Sequence, residues 1–468
     1  MGDPALPVLL VVHDEGSAAP MRILAAARGL CRVVLLCEPD RPRVAEGLRS
    51  VGRHAEIADV TGLDTEAVCR LAAGFDPAGV VTFSERRLRL TASVAEACGL
   101  PFHPGEAVDV LTDKFRQRRA LAEHGVQDTR CAVVGGGGRT ADGEGGDGSG
   151  PDADGLDAVL DRVGLPAVLK PRAGAGSVDT CLVRSADECR SRLAEFTEGR
   201  DDPGEFVLEE YLPGDPGQAG PGWGDYVSVE SVVVDGEPRT VAVTGKLPLA
   251  PPFRETGHLL PAPLPPEAAA DVVRLERRAL RALGVRHGVT HTEIKLTPAG
   301  PRVIEVNGRL GGHMAELVQR SLGYDLVAAA LRLALGLPVE SPEPPRGSGR
   351  GTGRGGVAFH FKVVPPPGAP PPDRTSLVER LMEVPGVDLV DLADLTEIPV
   401  PSGWRAGTAG AVGVVYGSAA DHAELRKVLD RLRELLDEAW RTPEPEAPRS
   451  PFAPPRTDVR WPLITPHP

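Results

Sequence analysis

At 468 residues, 41% of them hydrophobic and 25% charged, the chain is long enough for two or three domains with substantial cores. Its 52 Lys and Arg against 66 Asp and Glu give a net charge of −14, which argues against a nucleic-acid partner and requires any polyanion to be held by a local cluster of cations. The N-terminus has no basic leader, and its apolar run, Pro7 to Val12, is too short for a signal segment or a membrane span. Seven scattered cysteines without CxxC spacing read as buried reduced thiols, so the expectation is a cytoplasmic protein without a membrane partner.

Residues 7 to 104 alternate short apolar runs (Val8 to Val12, Val33 to Cys37, Glu56 to Val60, Gly79 to Phe83) with helical stretches at Pro20 to Gly29, Val44 to Val51 and Glu66 to Ala73. That alternation predicts a parallel α/β domain over residues 1–105. The loop after the first strand, His13-Asp14-Glu15-Gly16-Ser17, lacks the G-x-G-x-x-G of a dinucleotide site, which makes a nicotinamide dehydrogenase a poor reading. Leu111 to Phe115 opens a helix that carries Lys114, and a strand follows at Thr129 to Val134. The run Gly135 to Gly155 has no Gly-Lys-Ser/Thr and reads as a flexible, disordered insertion rather than a phosphate loop.

Leu165 to Pro171 is a strand with Lys170 near its end, followed by Arg172-Ala173-Gly174-Ala175-Gly176-Ser177. Small residues after a strand let backbone N–H groups approach phosphate oxygens, and Lys170 favours that reading over an ordinary hairpin turn. Phe206 to Leu212 is a buried strand ending in acids. Tyr226 to Val234 and Arg239 to Lys246 form an antiparallel pair about Asp235-Gly236. Phe253 to His258 reads as a loop, and Glu267 to Leu283 as a helix.

The stretch Gly288 to His313 carries the densest chemistry. It reads as strands His291 to Thr297 and Arg302 to Asn307 folded about Ala299, which sets Glu293 opposite Glu305 and His291 opposite Asn307. Alternation places Val303, Glu305 and Asn307 on one face of the second strand. Facing carboxylates repel by up to about 1 kcal/mol. A divalent cation relieves that repulsion, since Mg²⁺ takes one or two carboxylates and completes its shell with water and substrate phosphates. The alternative is a solvated polar face; Arg309-Leu310-Gly311-Gly312 beside the acids favours a Mg-nucleotide site.

Helices follow at Met314 to Leu322 and Leu326 to Leu335, then an Arg/Gly linker at Arg346 to Gly356. Strands Val357 to Val364 and Ala411 to Tyr416 come next, and Ser418 with Asp421 reads as a capping box for a helix ending near Trp440. The proline-rich remainder has too little apolar periodicity to fold.

Taken in order, Thr112-Asp113-Lys114, Val168-Leu169-Lys170-Pro171 with its glycine loop, Glu209-Glu210-Tyr211-Leu212 and Tyr226 to Glu230 resemble the ATP-grasp superfamily. Phe253-x-Glu255-x-Gly257-His258, His291-x-Glu293 and Ile304-Glu305-Val306-Asn307-x-Arg309-x-Gly311-Gly312 complete the set. The likeness is to the carboxylate–amine ligases of L-amino acid ligase (dipeptide synthetase, bacilysin-ligase-like) type and covers roughly Lys114 to Leu337. The glycine loop departs from the pattern at Ser177-Val178-Asp179, where Gly-Val is more usual.

The resemblance implies an α/β protein: an N-terminal parallel α/β domain of the biotin-carboxylase N-terminal type (1–105), then an ATP-grasp fold. That fold would divide into an N-terminal subdomain (106–212, with the insertion 135–155) and a catalytic subdomain (213–337). A linker (338–356), a C-terminal α+β portion (357–440) and a disordered tail (441–468) would follow. Lys114, Lys170 and Ser177 would meet ATP phosphates. Glu209, Glu210, Tyr211 and Leu212 would form the adenine-side hinge, with backbone groups of Tyr211 and Leu212 on the adenine edge. Glu293 and Glu305 would ligate Mg²⁺, for which Mn²⁺ could substitute, with Asn307 on a second ion. Arg309 would stabilise an acyl phosphate, making Arg309, Glu305 and Lys170 the catalytic set. Glu255, His258, Arg309 and His313 would bind the amino-acid substrate. The implied activity is ADP-forming ligation of a carboxylate to an amine, both small molecules, and the oligomeric state is left open, a homodimer included. Two alternatives remain at this level: an ATP-grasp bicarbonate-phosphorylating carboxylase or purine-pathway-type ligase, and a nucleotide-binding regulatory or structural protein.

Overall fold

A computed structural model of the chain describes residues 6–51, 54–135, 153–200, 204–340, 356–366, 372–393 and 404–441. Most of the expected glycine-rich insertion, most of the Arg/Gly linker and the proline-rich tail lie outside the described residues.

Strands β1 (Val8–Val12), β2 (Arg32–Cys37), β3 (Glu56–Asp59) and β4 (Gly79–Val81) form a parallel sheet in the order β3-β2-β1-β4. Leu9 and Val11 pack toward Leu326, Val327 and Leu331, whereas Leu10 and Val12 pack toward Val68, Ala72 and Val94. Both faces are covered, which is why β1 reads as an unbroken apolar run. The helix between β2 and β3 is Pro42–Leu48, starting and ending earlier than expected because Pro42 is pre-set for a first helical turn. Two further helices, Leu88–Cys98 and Gly105–Leu111, lead out of this unit.

A second, antiparallel sheet holds β5 (Cys131–Val134), β6 (Ala167–Pro171), β7 (Cys181–Val183) and β8 (Phe206–Glu210), ordered β5-β8-β6-β7. Helices Ala153–Val163 and Ala186–Thr197 supply Leu160, Val163, Cys189 and Phe196 to its core.

The largest sheet has eight strands, β9 (Tyr226–Val234), β10 (Glu237–Lys246), β11 (Gly257–Leu260), β12 (Gly288–Thr297), β13 (Gly300–Asn307), β14 (Val357–Val363), β15 (Val387–Leu392) and β16 (Gly413–Ala419). Their order is β13-β12-β9-β10-β11-β14-β16-β15, with every pair antiparallel. The C-terminal portion therefore extends the sheet that carries the β12–β13 hairpin. The β9–β10 turn falls at Asp235-Gly236, with φ of 52° and 85° at the two residues, a conformation that glycine adopts without steric cost.

Three expectations change. Phe253 to His258 is not wholly loop, because Gly257 and His258 open β11, which is only four residues long and follows a proline-rich approach that hides its periodicity. The final helix, His422–Ala439, is capped by Asp421, which accepts from Glu424 N, while Ser418 belongs to β16. Helix Pro266–Ala282 starts at a proline one residue before the expected Glu267 and ends at Ala282 rather than Leu283. The seven cysteines are all free, four of them buried. Among the described residues no helix is long and apolar enough to cross a membrane.

Candidate active site

In the β12–β13 hairpin Glu293 lies opposite Glu305 and His291 opposite Asn307. The register then shifts, so that Ile294 pairs with Val303 and Ile304 is an extra residue on β13. This β-bulge corrects the simple alternation. Val303 is fully buried in the core with Ile294, on the face away from Glu305, because one inserted residue exchanges the faces on either side of it. The hairpin can thus bury Val303 and still present Glu305.

Local cations answer the facing carboxylates. Lys114 Nζ lies 3.2 Å from Glu305 Oε1 and donates to Gly174 O at 2.6 Å, tying the helix Lys114–Glu123 to the glycine loop. On the other carboxylate, His291 Nε2 is 3.4 Å from Glu293 Oε1, while His291 Nδ1 is 2.8 Å from Oε1 of Glu230, whose carboxylate is fully buried. Burial acts to lower the His291 pKa, but Glu230 outweighs it and raises it to about 9, so the imidazolium persists at neutral pH. Burial likewise opposes ionisation of Glu293, and the His291 hydrogen bond overcomes it to hold the carboxyl below its ordinary range. Arg309 Nη2 donates to Asn307 Oδ1 at 3.4 Å, and Arg309 Nε to Glu85 Oε2 at 3.0 Å.

Two carboxylates and an amide oxygen on one hairpin form an all-oxygen donor set suited to a hard cation. Among the described residues no three carboxylate, histidine or thiol side chains converge as a ready metal cage. Magnesium fits this arrangement on the condition that phosphates supply the remaining ligands.

The expected nucleotide side gathers on the second sheet. Lys170 Nζ is 2.9 Å and Arg118 Nη2 3.0 Å from Glu209 Oε2, with all three side chains more than nine-tenths buried. Burial pushes the Glu209 pKa up, yet Arg118 and Lys170 together bring it down to about 2. Glu210 accepts from Arg130 at 2.8 Å and from Arg302 at 3.3 Å. The Tyr211 N–H donates to Pro166 O at 3.3 Å, so that donor is engaged within the protein, and Leu212 is partly buried beside it. Ser177 has φ of 56°, and the loop rests on the segment Trp404–Gly410 through Thr408 N donating to Gly176 O at 2.8 Å and Arg405 to Asp179 at 2.7 Å.

On the expected substrate side, Glu255 is not free. Its Oε1 meets Lys246 Nζ at 3.2 Å and His258 Nε2 at 2.8 Å, and its Oε2 meets Lys362 Nζ at 3.0 Å. Burial favours the neutral acid, but Lys362 and Lys246 outweigh it and hold the carboxyl well below the usual range. His258, His360 and His313 continue as an array, with ring centroids 4.6 Å apart for the first pair and 4.3 Å for the second. His313, expected near the side-chain pocket, sits before helix Met314–Leu322 with φ of 64° and places Nδ1 2.7 Å from the Tyr416 hydroxyl. Burial, reinforced by the neighbouring lysines, lowers His258 to about 3 and His313 to about 4, so both imidazoles are neutral at neutral pH. The two clusters adjoin, since Lys246 acts electrostatically on both Glu293 and His291.

Glu230, Arg118, Lys246, Lys362, His360, Tyr416 and Glu85 were not assigned from sequence. Only Glu230 carries a local signal, an acid within the valine run of β9.

A bulged hairpin carrying two facing acids, beside a four-stranded sheet with a buried lysine and a glycine loop, defines the class. Residues 163–316 of the chain match the ATP-grasp domain. In sequence it is similar to carnosine synthase 1 of Gallus gallus, 34% identical over 287 residues, covering 58% of this chain and 29% of that protein. It is also similar to alanine–anticapsin ligase of Bacillus subtilis (strain 168), 27% identical over 292 residues, covering 59% of this chain and 58% of the relative. Both matches span well under two thirds of those proteins. In fold it resembles the L-amino acid ligase of Bacillus licheniformis, with a TM-score of 0.67 at 20% identity, covering 93% of this chain and 98% of that one.

Proposed function

We propose that the chain is an ADP-forming carboxylate–amine ligase, which phosphorylates an amino-acid carboxylate with Mg-ATP and couples the acyl phosphate to the amine of a second amino acid. The observation that carries the reading is the register of the β12–β13 hairpin, with Glu293 opposite Glu305 and Asn307 and Arg309 next along the chain.

A free carboxylate is a poor acyl donor because oxide is a bad leaving group. Transfer of the γ-phosphoryl group to a carboxylate oxygen releases ADP, and attack by the amine nitrogen on the acyl carbon then expels phosphate. Two anions must be brought together, so neutralising charge is the main task of the site. Magnesium held by Glu293, Glu305 and Asn307 would supply positive charge at the phosphates. Lys114 would leave Glu305 for a phosphate oxygen, and Lys170, fixed by Glu209, would present its ammonium from the second sheet. Ser177 and the glycine loop would cover the phosphates and exclude water from the acyl phosphate. Leu212 N–H and the Tyr211 carbonyl are the backbone groups proposed for the adenine edge. Arg309 would hold the donor carboxylate. Glu255, His258 and His313 would line the amino-acid site, with the lysines that bracket Glu255 balancing any charge that enters.

The test is phosphate release over a matrix of amino-acid pairs, with mass spectrometry of the products. An amide product accompanied by stoichiometric ADP supports the reading. Bicarbonate-dependent ADP release without amino acids would replace it with a carboxylase, and the absence of ADP release with every pair would remove it.

A further inference from the structure

The turn that ends the catalytic hairpin, Asn307-Gly308-Arg309, is held from outside the ATP-grasp domain. Glu85 and His103, both from the N-terminal parallel unit, reach it separately. Glu85 lies in the 3-10 turn Glu85–Arg87 just after β4, and its Oε2 accepts from Arg309 Nε at 3.0 Å, with both side chains 13% exposed. His103 follows helix Leu88–Cys98 and is 3% exposed, with Nε2 2.8 Å from Gly308 O. A carbonyl oxygen only accepts, so Nε2–H is the donor.

The surroundings of His103 show how closely the ring is fitted. A Cβ at Gly288, the first residue of β12, would lie 2.4 Å from the ring. A Cβ at Gly308 would lie 3.2 Å from Nε2 and 2.8 Å from Leu111. Glycine at both positions is what admits the imidazole between the start of β12 and the end of β13. A buried ring and a buried carboxylate, contributed by one unit, therefore fix consecutive residues of another.

We propose that Glu85 and His103 are positioning residues, through which the N-terminal unit sets the backbone of Gly308 and the guanidinium of Arg309 for catalysis. The proposal rests on the reading of Arg309 as the group that holds the donor carboxylate. Arginine is long and flexible, and an unrestrained guanidinium would have to be ordered in every turnover. The ion pair on Nε fixes it beforehand, with Nη1 donating to Leu310 O at 3.0 Å and Nη2 to Asn307 Oδ1 at 3.4 Å, and the second N–H of each outer nitrogen is left to face a carboxylate or an acyl phosphate. The backbone bond to Gly308 prevents the turn from swinging Arg309 and Asn307 together.

The experiment uses the full chain and the variants Glu85→Ala, Glu85→Gln, His103→Ala and His103→Gln, each first checked by thermal unfolding. Two readouts follow: steady-state ADP release and hydrogen–deuterium exchange of the peptide spanning residues 306–312. For both alanine variants kcat is expected to fall about 10- to 100-fold, the scale of a small misplacement of a catalytic group, with KM for ATP within about twofold. Exchange at Gly308 to Gly311 should speed up while β9 stays protected. Glu85→Gln, which keeps an acceptor for Arg309, and His103→Gln, which keeps an amide donor, should each recover part of the loss. Turn exchange at the wild-type rate, or a kcat within twofold of wild type in the alanine variants, would overturn the proposal. If His103→Ala does not fold, the Glu85 pair decides alone. If the wild-type chain releases no ADP with any amino-acid pair, the ligase reading fails, and the exchange measurement still judges the positioning.

Discussion

Two charged clusters adjoin on the large sheet, one on its edge hairpin β13-β12 and one on β10, β11 and β14, and they are built in opposite ways. On the β12–β13 hairpin the acids exceed the cations, for Glu293 and Glu305 face each other and are answered by His291 and Lys114, while His291 is already shared with the buried Glu230. Around Glu255 the cations exceed the acid, with Lys246 and Lys362 both within 3.2 Å of a single carboxylate. The first cluster is a site for positive charge still to arrive; the second already carries more positive charge than its acid neutralises. Under the proposed function, a metal-dependent step would fall at the first and anchoring of an anionic substrate group at the second. Breaking each cluster should therefore fail differently.

The largest effect is expected at the hairpin. Glu305→Gln should lower phosphate release by about 100-fold or more while leaving the fold intact, since a lost charge-stabilising group at a reacting centre costs on that scale. Glu293→Gln should cost less, because His291 already takes part of its charge. Phosphate release at saturating Mg²⁺ is the measurement, and undiminished turnover in Glu305→Gln would remove the metal assignment.

The next effect is on stability. Glu209 is the only acid that Lys170 and Arg118 share among the described contacts. Glu209→Gln leaves two buried cations without a counter-charge, which should cost about 3 kcal/mol in a urea titration. A loss under about 1 kcal/mol would show that solvent reaches these groups and that the triad is not a buried network.

The contrast between the clusters also explains what could be read without a structure. The facing of the hairpin acids was legible only in its result, since folding about Ala299 puts Glu293 opposite Glu305, whereas the actual turn pairs Thr297 with Gly300 and it is the extra residue Ile304 that restores that pairing. The β1 to β4 order was legible because strands covered on both faces are continuous apolar runs separated by helices. The bulge at Ile304 was not legible, for no residue type announces it, and it moved Val303 to the core. The Glu255 cluster was only half legible. Lys246 is nine residues away in sequence, but Lys362 is 107 residues away, on a strand that joins the sheet only after the long connection past β13. His360 and Tyr416 reach His313 by the same long-range pairing of β11, β14 and β16.

That long-range cation gives the third test. Lys362→Met keeps the length of the side chain and removes its charge, leaving Glu255 to Lys246 and His258. The KM for the amino-acid substrate should rise about tenfold, with KM for ATP little changed, because the lost charge acts on the substrate side alone. Equal changes in both constants would mean that the two clusters work as one and would erase the contrast drawn above.

The smallest expected effect separates the hairpin's own ion pair from its catalytic role. His291 has its pKa raised from the ordinary 6.5 to about 9: burial opposes the charge, and Glu230 outweighs burial. A histidine whose pKa is higher in the folded chain contributes stability that is complete below pH 6.5 and is lost as pH rises through 9. Glu230→Gln removes the main partner, so the stability gap between wild type and variant should be widest below pH 6.5 and should narrow steadily toward pH 9. Glu276, which burial pushes up to about 7 and Glu230 raises further, also titrates in this region, so the comparison is made in a Glu276→Gln background in both proteins. Urea midpoints measured for both proteins from pH 6 to pH 10 provide the comparison. Parallel curves would show that His291 is neutral in the folded chain, and Glu293 would then lack the cation that shares its charge before a metal arrives.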